Sequence, residues 1–102
     1  MPVQDLDKNN FVETVQSAKN PIIVDFYADW CAPCKMIAPV MEQISKERTD
    51  VDVYRVDVDK NPEIAAHFGI MNIPTIISFK DSAPYKKAVG AQGMASILQL
   101  VE

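Results

Sequence analysis

Cysteine is scarce in this chain. Its 102 residues include only two, Cys31 and Cys34, beside one tryptophan, one histidine and three glycines. Two cysteines are too few for the disulfide framework of a small secreted protein. Long apolar runs are missing too. None approaches the roughly 18 residues of a membrane-spanning helix, so no membrane partner is expected. Nor is there an excess of positive charge. The formal net charge is -4, which argues against nucleic acid or an anionic lipid surface as the main partner. The opening MPVQDLDKNN is acidic and polar and does not read as a signal peptide, so a cytoplasmic site is the expectation.

What is present is ordinary for a globular protein: 48% hydrophobic and 24% charged residues. The length suffices for a core without staples and predicts one domain over residues 1–102. Apolar runs alternate with amphipathic stretches. PVQDL reads as a short edge strand. Asp7 reads as the N-cap of a helix through Ala18. PIIVDFYA, Pro21–Ala28, is β-rich and almost continuously apolar, which suits a central strand covered on both faces. From Ala32 to Arg48 the period turns helical, with Met36, Ile37, Val40, Met41 and Ile44 as the apolar stripe and Pro39 as an expected kink. Val51–Asp59 is the next strand. Asn61-Pro62 reads as cap and first-turn proline of a short helix ending at Gly69. IPTIISFK and YKKAVG form an antiparallel pair across the turn DSAP. Gly93–Glu102 closes the chain as a helix. The order β-α-β-α-β-α-β-β-α predicts an α/β fold, with parallel early strands and a late hairpin that makes the sheet mixed.

The chemistry gathers in DFYADWCAPCKMIAPV. Cys31 falls just past the end of a strand, where open α/β sheets place their sites. It also falls at the start of a helix, where free N–H groups and the dipole favour a thiolate. Cys34 lies in the same first turn, on the same face. Pro33 is tolerated there, because its missing N–H had no helical partner. A thiolate at Cys31 can attack a disulfide, and Cys34 can then displace the product and close a ring with Cys31. A structural zinc site would need about four ligands. A purely structural disulfide over so short a loop would gain little chain entropy. C-x-x-C in a βαβ setting points to redox work.

Asp25 interrupts the apolar strand. Buried, its pKa should rise, and it could exchange protons near neutral pH. On an edge strand it would simply face water, or pair with Lys35 or Arg55. The residues alone leave both readings open.

Four segments, VDFYADWCAPCKMIAP, VDVDKNPEIAAHFGI, NIPTIISFK and AVGA, resemble the thioredoxin family, in order and at matching spacing across nearly the whole chain. The resemblance implies a central sheet of five mixed strands with four helices around it. It implies protein-disulfide reduction, with electrons from an NADPH-dependent thioredoxin reductase and with disulfide-containing proteins as clients. It implies no cofactor beyond the dithiol, no metal, and a monomer. Cys31 matches the family's nucleophile, Cys34 the resolving thiol, and Asp25 the buried acid that helps deprotonate Cys34 through water. Pro74 matches the cis proline whose preceding backbone, Ile73, can pair with an extended client. Trp30, Ala32, Pro33, Ile73, Val89, Gly90 and Ala91 fall on the apolar docking rim.

The chain departs from the family's pattern in four places. Ala32 replaces the usual glycine between the cysteines and puts the reduction potential and partner preference in question. Tyr27 replaces a common tryptophan, read as a packing change. Asn72 stands where glycine is frequent, and asparagine tolerates positive φ better than most residues. KDSAPYKK lacks the hairpin's usual glycine, which predicts a different turn. His67 reads as a surface or packing residue, and Met36, Met41 and Met71 as core or rim. The clusters Asp50/Asp52 and Asp57/Asp59 read as solvated, with Asp59 helping to start the next helix. Two rival readings keep the same scaffold. One is a thiol oxidant or isomerase, which usually has a polar residue between the cysteines. The other is a binding subunit that clamps a partner with its rim.

Overall fold

A computed structural model describes residues 3–102. Five strands form one mixed sheet: β1 (Gln4–Asp5), β2 (Ile22–Tyr27), β3 (Asp52–Asp57), β4 (Thr75–Lys80) and β5 (Ala83–Val89). Four helices accompany them: α1 (Phe11–Ser17), α2 (Ala32–Glu47), α3 (Pro62–His67) and α4 (Met94–Leu98), the last running into a 3-10 turn at Gln99–Val101. The sheet order is β1-β3-β2-β4-β5. β1, β3 and β2 are parallel, whereas β4 runs antiparallel to both β2 and β5. The expected thioredoxin-type arrangement of five mixed strands and four helices is therefore present. In the expected edge strand PVQDL, Pro2 lies outside the described residues.

β2 is the centre, and all six of its residues are buried. Alternation sends its side chains to two different layers. Ile22, Val24 and Phe26 join Phe11, Val15, Ile64 and Phe79 under α1 and α3. Ile23 joins Ile37, Met41, Ile44, Ile76 and Ile97 under α2 and α4. Asp25 and Tyr27 share the parity of Ile23 and so point to the α2 face. Burial of each large aliphatic side chain contributes about 1.5–3 kcal/mol, and this holds α2 to the sheet.

Three sequence expectations shift. The first helix begins at Phe11, not after Asp7. The Asp7 carboxylate accepts the N–H groups of Asn9 and Asn10 at 2.8 and 3.2 Å, so it caps a turn that precedes the helix. In α2 the inner line is Cys34, Ile37, Met41 and Ile44, while Met36 is 72% exposed. Two positions past Cys34 is about 200° around the helix, which turns Met36 outward. Pro39 lies inside α2, as expected; it lacks the N–H that would reach the Lys35 carbonyl, and the helix runs on to Glu47. Asn72 is not among the residues with positive φ; those are Asp81, Ser82, Gly69 and Gly90.

Candidate active site

Cys31 is the N-cap of α2, with φ -88° and ψ 110°. The Cys34 N–H donates to Cys31 Sγ at 3.2 Å. This is the bond that a serine or aspartate cap normally accepts, here taken by sulfur. Ala32 and Pro33 fill the first helical positions, where a proline costs no hydrogen bond. Cys31 and Cys34 form a disulfide, with Cα atoms 5.3 Å apart. Both cysteines are buried, Cys34 almost completely. Tyr27, Ala28, Val58 and Ile73 pack around them.

The remaining candidates arrive from three loops. Trp30, just before the pair, is 71% exposed, and its Nε1–H donates to Asp59 Oδ2 at 2.8 Å. The Ile73 carbonyl oxygen lies 3.9 Å from Cys31 Sγ, and the Ile73–Pro74 peptide bond is cis. The Gly90 N–H donates to the Pro74 carbonyl at 2.8 Å. That bond draws Val89, Gly90 and Ala91 beside Pro74. Gly90 has φ +92°, a conformation that strains any residue with a Cβ. Trp30, Ala32, Pro33, Val89 and Ala91 are exposed, so the rim is apolar and open. Met36 and Met71, also exposed, extend the apolar surface of these same segments.

Asp25 is fully buried. Burial pushes its pKa up from 3.8 to about 7, opposed by the Arg55 guanidinium and reinforced by Asp5. Arg55 Nε stands 3.9 Å from Asp25 Oδ2, beyond hydrogen-bond reach. Among the described residues neither Asp25 oxygen has a hydrogen-bond partner, and neither does Arg55 Nε. The edge-strand reading of Asp25 is thus excluded, and of its two suggested partners Arg55 is the neighbour.

Two side-chain contacts escaped the sequence reading. Asp59 is exposed, as expected, and its carboxylate also accepts the Trp30 indole N–H. Its neighbour Asp57 is buried and accepts the N–H groups of Asp59 and Lys60 at 2.9 and 3.3 Å. Tyr27 is more than a packing change: its ring lies 3.6 Å from Arg55 Cζ, and its hydroxyl donates to Asp5 Oδ1 at 3.0 Å. Both contacts join distant strands and loops, and no local pattern announces them. His67 is exposed and packs edge-on against Phe68. An apolar cleft of about 370 Å³, lined by Phe11, Val15, Ile64, Phe68 and Pro84 among others, lies on the sheet face opposite the cysteines. None of the candidate residues lines it. Among the described residues no group of three or more His, Cys, Asp and Glu could hold a metal ion.

The arrangement can perform thiol–disulfide exchange. An N-terminal N–H faces the first sulfur, a second sulfur sits within bonding reach, and a buried acid lies on the sheet face that α2 covers. The Thioredoxin family model matches residues 2–102. A thioredoxin of Mycobacterium tuberculosis is 52% identical over 91 residues, covering 88% of this chain and 78% of that protein. A bifunctional thioredoxin reductase/thioredoxin of Mycobacterium leprae is 47% identical over 91 residues, covering 88% of this chain and 20% of that protein. Among solved structures, a mutant thioredoxin from Halobacterium salinarum superposes with a TM-score of 0.88 at 33% identity, covering 99% of this chain and 88% of the other.

Proposed function

From the premise that this chain belongs to the thioredoxin family and is a protein thiol–disulfide oxidoreductase, we propose that it is a general protein-disulfide reductase acting as a single domain. The observation that carries this reading is Cys31 as N-cap, its sulfur accepting the Cys34 N–H at 3.2 Å. In the reduced protein that N–H and the helix dipole stabilise a thiolate at Cys31.

The cycle starts from the dithiol. Cys31 thiolate attacks one sulfur of a client disulfide; the client S–S bond breaks and one client thiolate leaves. Cys34 gives up its proton, with Asp25 as acceptor, and attacks Cys31 Sγ. The Cys31–client bond breaks, the client departs as a dithiol, and Cys31 and Cys34 end as the disulfide. Two electrons then restore the dithiol. We assign that step to an NADPH-dependent thioredoxin reductase, a partner whose fusion to a thioredoxin in the M. leprae relative supports the pairing. The client lies as an extended segment against Ile73 and Pro74, flanked by Trp30, Ala32 and Pro33 on one side and Val89, Gly90 and Ala91 on the other. The setting is the cytoplasm, where thiols are kept reduced, and the working form is a monomer. No helix of the described residues is long and apolar enough to cross a membrane.

The test is a pair of variants assayed on a disulfide-bonded client. Cys34→Ser is expected to accumulate a covalent mixed disulfide, seen by mass spectrometry and released by dithiothreitol. Cys31→Ser is expected to lose turnover altogether. Turnover that survives in Cys31→Ser would refute the assignment.

A further inference from the structure

One row of charge crosses three strands. Asp5 on β1 is in register with Arg55 on β3, and Arg55 with Asp25 on β2. Registered partners point to the same face of a sheet, so the three side chains stand side by side. The row runs from an exposed carboxylate through a partly buried guanidinium to a fully buried carboxylate.

A guanidinium beside a buried carboxylate ordinarily closes into a short, two-pronged hydrogen bond. Here it stops at 3.9 Å, and neither Arg55 Nε nor the Asp25 oxygens have a hydrogen-bond partner. Tyr27 explains the gap. It follows Asp25 by two residues on the same face of β2. Its ring stacks on the guanidinium at 3.6 Å, and its hydroxyl is anchored to Asp5 at 3.0 Å. The stack holds the cation by its flat face. The Asp5 charge draws the same cation outward.

We propose that Tyr27 and Asp5 are positioning residues for the exchange reaction, holding Arg55 one step short of a hydrogen-bonded ion pair with Asp25. This rests on the reading of Asp25 as the acceptor of the Cys34 proton. A closed pair would fix Asp25 as an anion over the whole neutral range, too weak a base for a thiol proton. Without any cation nearby, burial would keep the acid protonated well into alkaline pH. The clamp sets the acid between those limits. One further carboxylate faces the stack: Asp57, buried on β3 two residues past Arg55 and in register with Tyr27, whose oxygen is held by the Asp59 and Lys60 N–H groups. The helix and β4 packed on this face add no charge. α2 buries Cys34, Ile37, Met41 and Ile44, of which only Cys34 can titrate, and only in the reduced protein. β4 places Ile76 opposite Asp25. The C-terminal segment contributes Ile97, Leu100 and Val101.

The test follows the Asp25 carboxyl carbon by NMR through a pH titration of the oxidised protein, in which neither cysteine titrates. Asp5→Asn and Tyr27→Leu are each expected to lower the Asp25 midpoint by about one unit as Arg55 closes onto it. Tyr27→Phe keeps the stack but loses the anchor, and is expected to fall between wild type and Tyr27→Leu. In an Arg55→Gln background Tyr27→Leu and Tyr27→Phe should leave the midpoint in place, and Asp5→Asn should leave only the smaller drop that follows from losing its own charge beside Asp25. Two results overturn the proposal: midpoints that stay put in Asp5→Asn and Tyr27→Leu, or shifts that keep their full size without Arg55. Asp5 is exposed, so Asp5→Asn decides the matter even if Tyr27→Leu does not fold. The pH dependence of Cys34 attack, measured by single-turnover release of client, is expected to follow the NMR midpoint. If the midpoint moves and the rate profile does not, the clamp stands and the role of Asp25 falls.

Discussion

Asp25 places a testable cost on the fold. Its pKa rises from 3.8 in the unfolded chain to about 7 in the native state, chiefly through burial. Between those values the native state holds a proton that the unfolded chain has lost. The contribution is therefore fully present below about pH 4 and is lost as pH rises through about 7. Asp25→Asn has no such proton. From pH 5 to pH 8 the oxidised wild type is expected to lose about 2–3 kcal/mol more stability than Asp25→Asn. Urea unfolding of both proteins at both pH values measures this, and an equal loss in the two would mean that the acid is not desolvated. At this scale the sequence was legible where chemistry is local. The C-x-x-C spacing and the helix start beside it placed Cys31 at the cap. Asp25 stood out as a charge in an apolar run, but nothing local told burial from exposure; that depended on β3 and β4 closing over both edges of β2. Tyr27 and Asp59 were illegible for the same reason, because their partners Asp5, Arg55 and Trp30 lie on other elements.

The hairpin between β4 and β5 shows what an element does without its usual residue. Lys80 pairs with Ala83, which leaves a two-residue loop of Asp81 and Ser82. Both have positive φ, 53° and 67°, as the mirror-image turns favoured in tight hairpins require. Aspartate tolerates this conformation through local hydrogen bonding. Serine is a poorer choice, and its hydroxyl makes only a long contact, 3.4 Å, with the Gln16 carbonyl. Ser82→Gly is expected to stabilise the protein by about 1 kcal/mol, read as a higher urea midpoint with an unchanged slope. A lower midpoint would show that the Gln16 contact outweighs the backbone relief. Without a glycine the tight loop is carried by Asp81 and Ser82 themselves. Other elements were legible to within a residue or two where apolar period and punctuation agreed, as in β2, α2 and α3. The start of α1 was not. Asp7 suits either a helix cap or a turn cap, and the choice turns on backbone hydrogen bonds that composition does not encode.

Across the whole molecule, the strand and helix order was enough to give the mixed sheet, but not the antiparallel seating of β4 beside β2. A helix separates β3 from β4, which locally reads as one more parallel crossover. The seating matters, because it brings the Ile73 carbonyl to within 3.9 Å of Cys31 Sγ. The sulfur thus feels two opposing dipoles: the Cys34 N–H, at 3.2 Å, favours a thiolate, and the carbonyl disfavours one. Strong oxidants of this chemistry owe their potential to a reduced form held stable, so a sulfur in mixed surroundings belongs to a reducing pair. Ala32, exposed and between the cysteines, adds a methyl on the outer side and no polar contact to either sulfur. The equilibrium potential of the Cys31–Cys34 pair at pH 7, measured against a glutathione or dithiothreitol couple, is expected near -270 mV, roughly that of reducing thioredoxins. Ala32→Gly should move it by less than about 30 mV, the equivalent of roughly 1.4 kcal/mol. A wild-type value of roughly -120 to -180 mV would mean that the thiolate draws more stabilisation than one N–H and a helix end supply. The same scaffold would then oxidise or isomerise its clients, and the direction of electron flow assigned here would be reversed.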